Sequence, residues 1–203
     1  WEIEMFLSVL KGRLAGAVVL AAVALQVEAA EQLLENPVFE TSGGVMPAWS
    51  YSQHAGDISY EYEASDGVLK IRRTGPEPWG LLAQEIQAQS LAGQTLHLSL
   101  EVQGDFVATD APAFEPASVN LLVRGWPQNP ALRFMGLQML DERSYQLPED
   151  LSGDSWHPVA LSVVVPAAAV SLELTLVMGY QGEMRVRNPL LRVAAADMQV
   201  EAE

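Results

Sequence analysis

The chain has 203 residues, no cysteine, and 26 acidic against 11 basic residues, a formal charge of −15. So acidic a chain repels phosphate backbones, whose binding rests on counterion release by Lys and Arg, which argues against nucleic acid and anionic membranes as partners. The missing cysteines exclude a disulfide scaffold and thiolate metal sites.

The N-terminus reads as a targeting segment. Lys11 and Arg13 precede an apolar run over residues 14–25, and Val27-Glu28-Ala29-Ala30 places small residues at cleavage positions. This is the three-part layout of a secretory signal peptide over residues 1–30, with Met5 as the expected start. The run is shorter than the roughly 20 apolar residues that span a bilayer, so no membrane insertion of the mature chain is expected. Removing residues 1–30 takes away three acids (Glu2, Glu4, Glu28) and two bases, leaving −14. Residues 31–194 amount to one domain, and residues 195–203 to a frayed tail. The expected location is exported, periplasmic or extracellular, in a bacterium.

The mature chain opens on Asn36-Pro37-Val38-Phe39-Glu40, where Pro37 fixes φ and drives the residue before it out of the helical region. This reads as a first strand, with Gly43-Gly44 turning the chain and Pro47-Ala48-Trp49 bringing a large ring over one end of the core. Residues 58–63 alternate, with Ile58, Tyr60 and Tyr62 on one face. Asp66-Gly67 then turns into a strand over residues 68–73. A Pro-stiffened loop carries Glu77 and Trp79, and residues 81–86 are extended again.

Residues 95–103 form the plainest strand, with Leu96, Leu98, Leu100 and Val102 inward and a fully polar outer side. Residues 104–117 read as a loop. In residues 118–126, Val119, Leu121 and Val123 share one face and Asn120, Leu122, Arg124 and Trp126 the other. Residues 127–155 are too long for a structureless loop, and a strand is expected at 133–140. Strands follow at 156–165, 170–180 and 184–193. Nine or ten strands with no long period-3.6 segment predict an all-β antiparallel jelly-roll sandwich.

Several of these pieces carry a family resemblance. The ordered series Leu33 to Glu40, Pro47-Ala48-Trp49, Gln84-Glu85-Ile86, Leu91 to Ser99, Trp156 before an apolar run, and Met184 to Val193 resembles carbohydrate-binding modules of the galactose-binding-like jelly-roll superfamily. The resemblance covers almost all of the chain after residue 31. It implies a jelly roll that binds glycan, and a structural calcium held by an acid near the first strand and an Asp in the last. Those positions are Glu40 and Asn188 here. Asn188 lacks the charge that calcium affinity follows, so the reading requires no ion.

No metal or nucleophile motif appears: His54, His97 and His157 stand alone, and there is no Gly-x-Ser-x-Gly elbow or Gly-rich phosphate loop. Aromatic rings beside polar groups are the better lead. A pyranose packs its C–H face on indole, and burying about 100 Å² of one Trp gives roughly 2.5 kcal/mol. A millimolar ligand needs about 4 kcal/mol, so one ring is too few. The expected ligand site is therefore Trp79 and Trp126 as stacking surfaces, with Arg124, Asn120 and Glu77 as hydrogen-bonding groups. The function expected is non-catalytic recognition of a neutral glycan.

Two alternatives stand beside it. One is a protein-interaction domain using residues 104–117 and 127–155. The other is a glycan hydrolase or lyase needing two close outward acids among Glu61, Glu63, Glu85, Glu101 and Glu173.

Overall fold

The computed structural model describes residues 31–107 and 116–194. The expected leader with Met5, residues 108–115 of the expected loop and the expected tail lie outside the described residues. The ten strands are β1 (Ser50–Gln53), β2 (Tyr60–Ser65), β3 (Val68–Arg73), β4 (Gly80–Gln87), β5 (Thr95–Val107), β6 (Ser118–Gly125), β7 (Gln138–Gln146), β8 (His157–Val164), β9 (Ala169–Met178) and β10 (Gln181–Val193). They pair antiparallel into a front sheet, β1-β4-β9-β6-β7, and a back sheet, β2-β3-β10-β5-β8. The expected all-β jelly-roll sandwich is what forms.

Alternation builds the core. Leu172, Leu174, Leu176 and Met178 of β9 are sealed, as are Val119, Leu121 and Val123 of β6 and Leu96, Leu98 and Val102 of β5. Each such aliphatic contributes about 1.5–3 kcal/mol by leaving water. Both side edges of the sandwich are guarded. Tyr51 of β1 meets Tyr62 of β2 with ring centroids 5.6 Å apart. On the other side, Arg143 of β7 donates from Nε to the Ser162 carbonyl of β8 at 3.2 Å.

Four local expectations are corrected. Residues 36–40 form no strand but a tight turn: Asn36 (φ 47°) and Phe39 (φ 56°) are left-handed, which breaks strand pairing. The Asn36 side chain holds the turn, accepting from the Glu40 amide at 2.7 Å and donating to the Glu40 and Pro47 carbonyls. The plug itself is present, since Phe39 is buried against Trp49 at 5.3 Å. Ile58 lies outside β2 and is 85% exposed, because the Gln53 side chain pins residues 55–59 as a turn through Ala55, Asp57 and Ser59. The loop expected from residue 104 begins later: Gly104 to Val107 continue β5 against β10. The strand expected at 133–140 is displaced to β7, behind a short 3-10 helix, Pro130–Met135, capped by Asn129.

The described residues are tied down at both boundaries. Gln84 points inward from β4 and trades two 2.7 Å bonds with the Glu35 backbone. The Leu33 amide donates to the Leu191 carbonyl at 2.8 Å, and the Ala194 amide to that of Thr95 at 2.8 Å.

The outer side of the back sheet is a ladder of ion pairs: Glu61 with Arg72, Glu63 with Lys70, Glu183 with Arg185, and Glu101 with Arg187. Arg187 also stacks on Trp156, 4.1 Å from the ring centroid. Bonds from Arg187 and Asn188 hold the Glu101 carboxyl below the usual carboxylate range.

Two predictions follow from this packing. Leu174→Ala should cost about 2–5 kcal/mol, seen as a lower urea midpoint with an unchanged slope. Because the Glu101 pKa is depressed in the folded state, its stabilisation is complete above the unfolded value near about 4.3 and is lost as pH falls through the folded one. Urea midpoints taken from about pH 6 down to about pH 3 should therefore decline, and Glu101→Gln should make that decline shallower.

Candidate functional site

The front sheet carries a continuous polar outer face. Alternation that sends the leucines of β9 inward sends Ser171, Glu173 and Thr175 outward, and registers them between β4 and β6. Thr175 meets Ala83 on one side and Asn120 on the other, and Asn120 meets Ser144 of β7. One row further, Glu85, Glu173, Leu122 and Glu142 lie side by side across four strands. In the next row Ser171 lies between Gln87 and Arg124.

The polar groups of this face are held in place. Asn120 donates from Nδ2 to Thr175 Oγ1 and Ser118 Oγ, both at 3.1 Å, and its Oδ1 accepts from Ser144 Oγ at 2.6 Å. Its amide is thus nearly saturated and serves as a fixed node. Arg124 donates from Nε to Glu173 Oε2 at 3.2 Å, which pins the guanidinium plane. Among the described residues its two Nη groups have no partner, so four N–H donors remain on a rigid fork.

Two residues beyond Arg124, Trp126 closes the end of β6 and is 43% exposed. The bulge between β6 and β9 at Arg124 and Gly125 turns the chain there. Gly125 is required at that point, since a methyl would overlap the Ala168 carbonyl and Leu140. Arg133 of the 3-10 helix stands over the indole, 6.0 Å from its centroid.

The expected site residues therefore divide into two groups. Asn120, Arg124 and Trp126 come together on β6. Trp79 and Glu77 sit at the opposite end of the sheet. Gly80 of β4 pairs with Met178 and Gly125 of β6 with Ala169, so the two indoles are separated by almost the whole of β9, roughly 30 Å at about 3.3 Å per residue. A short ligand cannot lie on both rings.

Trp79 is half-buried, with the His54 ring edge-on at 6.1 Å. Glu77 is engaged by its own loops: Oε2 accepts from the Ala55 amide at 2.9 Å and meets His54 Nδ1 at 3.0 Å. Its carbonyl accepts the Tyr60 hydroxyl at 2.9 Å, and burial pushes the Tyr60 pKa up to about 12, keeping that donor protonated.

Of the calcium positions, Glu40 and Asn188 line adjoining hollows that share Val38, Asp66 and Gly67, and Asn188 donates from Nδ2 to Glu101 at 2.8 Å. Among the described residues no three His, Asp or Glu side chains gather as a metal-binding group.

Sequence reasoning missed Ser118, Ser144, Ser171 and Thr175 as parts of the face. Their outward alternation was readable in β9, but their meeting depends on β9 lying between β4 and β6. Among the described residues no helix is long and apolar enough to cross a membrane. For Glu77→Ala, amide exchange at residues 54–57 should speed up while that of β9 stays slow; hydrogen-exchange mass spectrometry would read both.

No protein-family model matches the sequence, and no curated protein sequence does. Solved structures do. TmCBM61 in complex with β-1,4-galactotriose is 16% identical with a TM-score of 0.51, over 81% of this chain and 100% of that one. The enzymatically active domain of tailspike protein 4 of bacteriophage CBA120 is 15% identical with a TM-score of 0.55, over 80% of this chain; the chain covers only 21% of that protein's length. A CBM4 module is 15% identical with a TM-score of 0.49, over 79% of this chain and 99% of that one. The likeness is one of fold, and this chain carries the jelly-roll sandwich found among carbohydrate-binding modules.

Proposed function

We propose that the chain is an exported, non-catalytic glycan-binding module, periplasmic or extracellular, whose site is the outer face of the front sheet. The observation that supports this best is the Arg124 fork, pinned by Glu173 with its Nη groups uncommitted, two residues from an exposed indole. A ring to stack on and planar donors beside it are what a pyranose needs, and Asn120, Ser144 and Thr175 extend the polar floor from there. The fold shared with modules such as TmCBM61 supports the same reading.

The ligand class is a glycan without acidic groups, a neutral one being its simplest member, because the face carries three acids and one base. Trp79 lies on the outer side of β4 by alternation and would serve only a chain long enough to run the length of the sheet. Trp126→Ala and Arg124→Ala should each weaken oligosaccharide binding about tenfold or more in calorimetry. Trp79→Ala should leave short oligosaccharides unaffected and weaken only long ones. Undiminished binding by Trp126→Ala and Arg124→Ala would sink the proposed site.

A second reading, a protein partner, is favoured by one observation. The segment from Trp126 to Met139 exposes Phe134 (84%) and Met135 (62%) on a capped 3-10 helix, along with Leu132 and Met139. Exposed apolar groups gathered on a rigid element mark interaction surfaces. If this reading holds, Phe134→Ser abolishes capture of one envelope protein that free glycan does not displace.

A further inference from the structure

The short helix Pro130–Met135 is apolar without serving the core, since none of its residues is buried. Phe134 is 84% exposed and Met135 62%, with Leu132 beside them. Caps hold the turn in place of packing: the Asn129 side chain accepts from the Ala131 amide at 3.0 Å, and the Gly136 amide donates to the Arg133 carbonyl at 3.0 Å. Large apolar groups fixed in water contribute little to the fold and mark a contact surface.

Two further observations tie this surface to the front face. Met139, itself exposed, is registered against Arg124 across the β6–β7 pairing, which makes the two neighbours roughly 5 Å apart. Arg133 of the helix stands over Trp126. The apolar patch is thus continuous with the ring and the donor fork. The sequence sets the same region apart: residues 116–140 contain no Asp or Glu, the longest such run in a chain with 26 of them. Its two bases are Arg124 and Arg133, and Arg133 makes no ion pair among the described residues.

We propose that the front-face site takes a glycan joined to lipid and presented by a bilayer. Trp126 and Arg124 take the sugar, and Phe134 and Met135 enter the apolar layer beneath it. The proposal rests on the glycan reading above and names the form of its ligand. A soluble sugar leaves Phe134 and Met135 in water, whereas a lipid surface covers them as the ring is filled. Trp and Arg suit the boundary between the two, one as an amphipathic ring, the other as a charge on a long stem that reaches headgroups. The acid-free run lets this end approach phosphate-bearing headgroups that the rest of the acidic chain repels. A protein groove would also cover the apolar pair, but it would not account for their continuity with the sugar-binding groups.

The test uses β-1,4-linked oligosaccharides of glucose, galactose, mannose and xylose, each free in solution and linked to a dialkylglycerol carried in phosphatidylcholine vesicles. Calorimetry reads the free forms and co-sedimentation the vesicles. For a sugar that binds, the lipid-linked form should bind roughly tenfold tighter or more, because two exposed side chains leave water with it. Vesicles without sugar should retain little protein. Phe134→Ser/Met135→Ser should erase the advantage and leave free-sugar binding unchanged. Phe134→Leu/Met135→Leu should keep it, as should Ile58→Ser, which removes a comparably exposed aliphatic elsewhere. Equal binding of the two forms, an advantage that survives Phe134→Ser/Met135→Ser, or equal retention on sugar-free vesicles overturns the inference and leaves the glycan reading standing. An envelope protein captured through Phe134 and not displaced by lipid-linked sugar overturns it in favour of the protein partner. Failure of every sugar in both forms overturns the glycan reading, and the inference with it.

Discussion

The two-residue alternation of β9 is the constraint on which the rest depends. Leu172, Leu174, Leu176 and Met178 fill the core, and the intervening Ser171, Glu173 and Thr175 make the centre of the front face. A slip of one residue would exchange the two sets, exposing four large aliphatics and burying a carboxylate. Each aliphatic is worth about 1.5–3 kcal/mol, and an unpaired buried charge costs more than any of them. The register is thus locked by packing on one side of the strand, and the polar face on the other side inherits that precision. Asn120 and Arg124 are held to Thr175 and Glu173 because the leucines behind them cannot move.

How much of this was readable in the sequence follows from which interactions are local. β5, β6 and β9 were plain, because their apolar residues recur every second position over long stretches and only a half-buried strand does that. The first turn was misread as a strand because nothing local announces that Asn36 and Phe39 adopt positive φ. That geometry is enforced by Phe39 packing on Trp49. The strand expected at 133–140 starts too early since that part is the more apolar, yet its Phe134 and Met135 are exposed on the 3-10 helix. The larger gap is topological. β4, β9 and β6 are neighbours in space with long segments of chain between them, so the face they share has no trace in any single window. The pairing of Trp79 with Trp126 failed for the same reason: β4 and β6 run parallel on either side of β9, so the start of one and the end of the other are at opposite ends.

The two sheets use charge in different ways. The back sheet sets four of its carboxylates, Glu61, Glu63, Glu101 and Glu183, against neighbouring bases, and its Arg187 lies flat on Trp156. The front sheet uses Arg124 to hold a donor fork in place and leaves Glu85 and Glu142 without a basic partner among the described residues. Ion pairs at exposed positions add little to stability, so the contrast says more about what each face meets than about how firmly the fold is held.

The bonds at Leu33 and Ala194 have an architectural consequence. Leu33 pairs with Leu191 in the same backbone ladder, and Ala194 leaves beside Thr95. The polypeptide thus arrives and departs through neighbouring positions, separated by about one interstrand spacing, ~4.8 Å. A carrier protein could host the whole sandwich as a graft within one of its own surface turns, with little distortion of the host at the splice. Pulled from those two points, the domain would part from the seam outward, one rung at a time, and the front sheet, which neither point joins, would be among the last to feel the load.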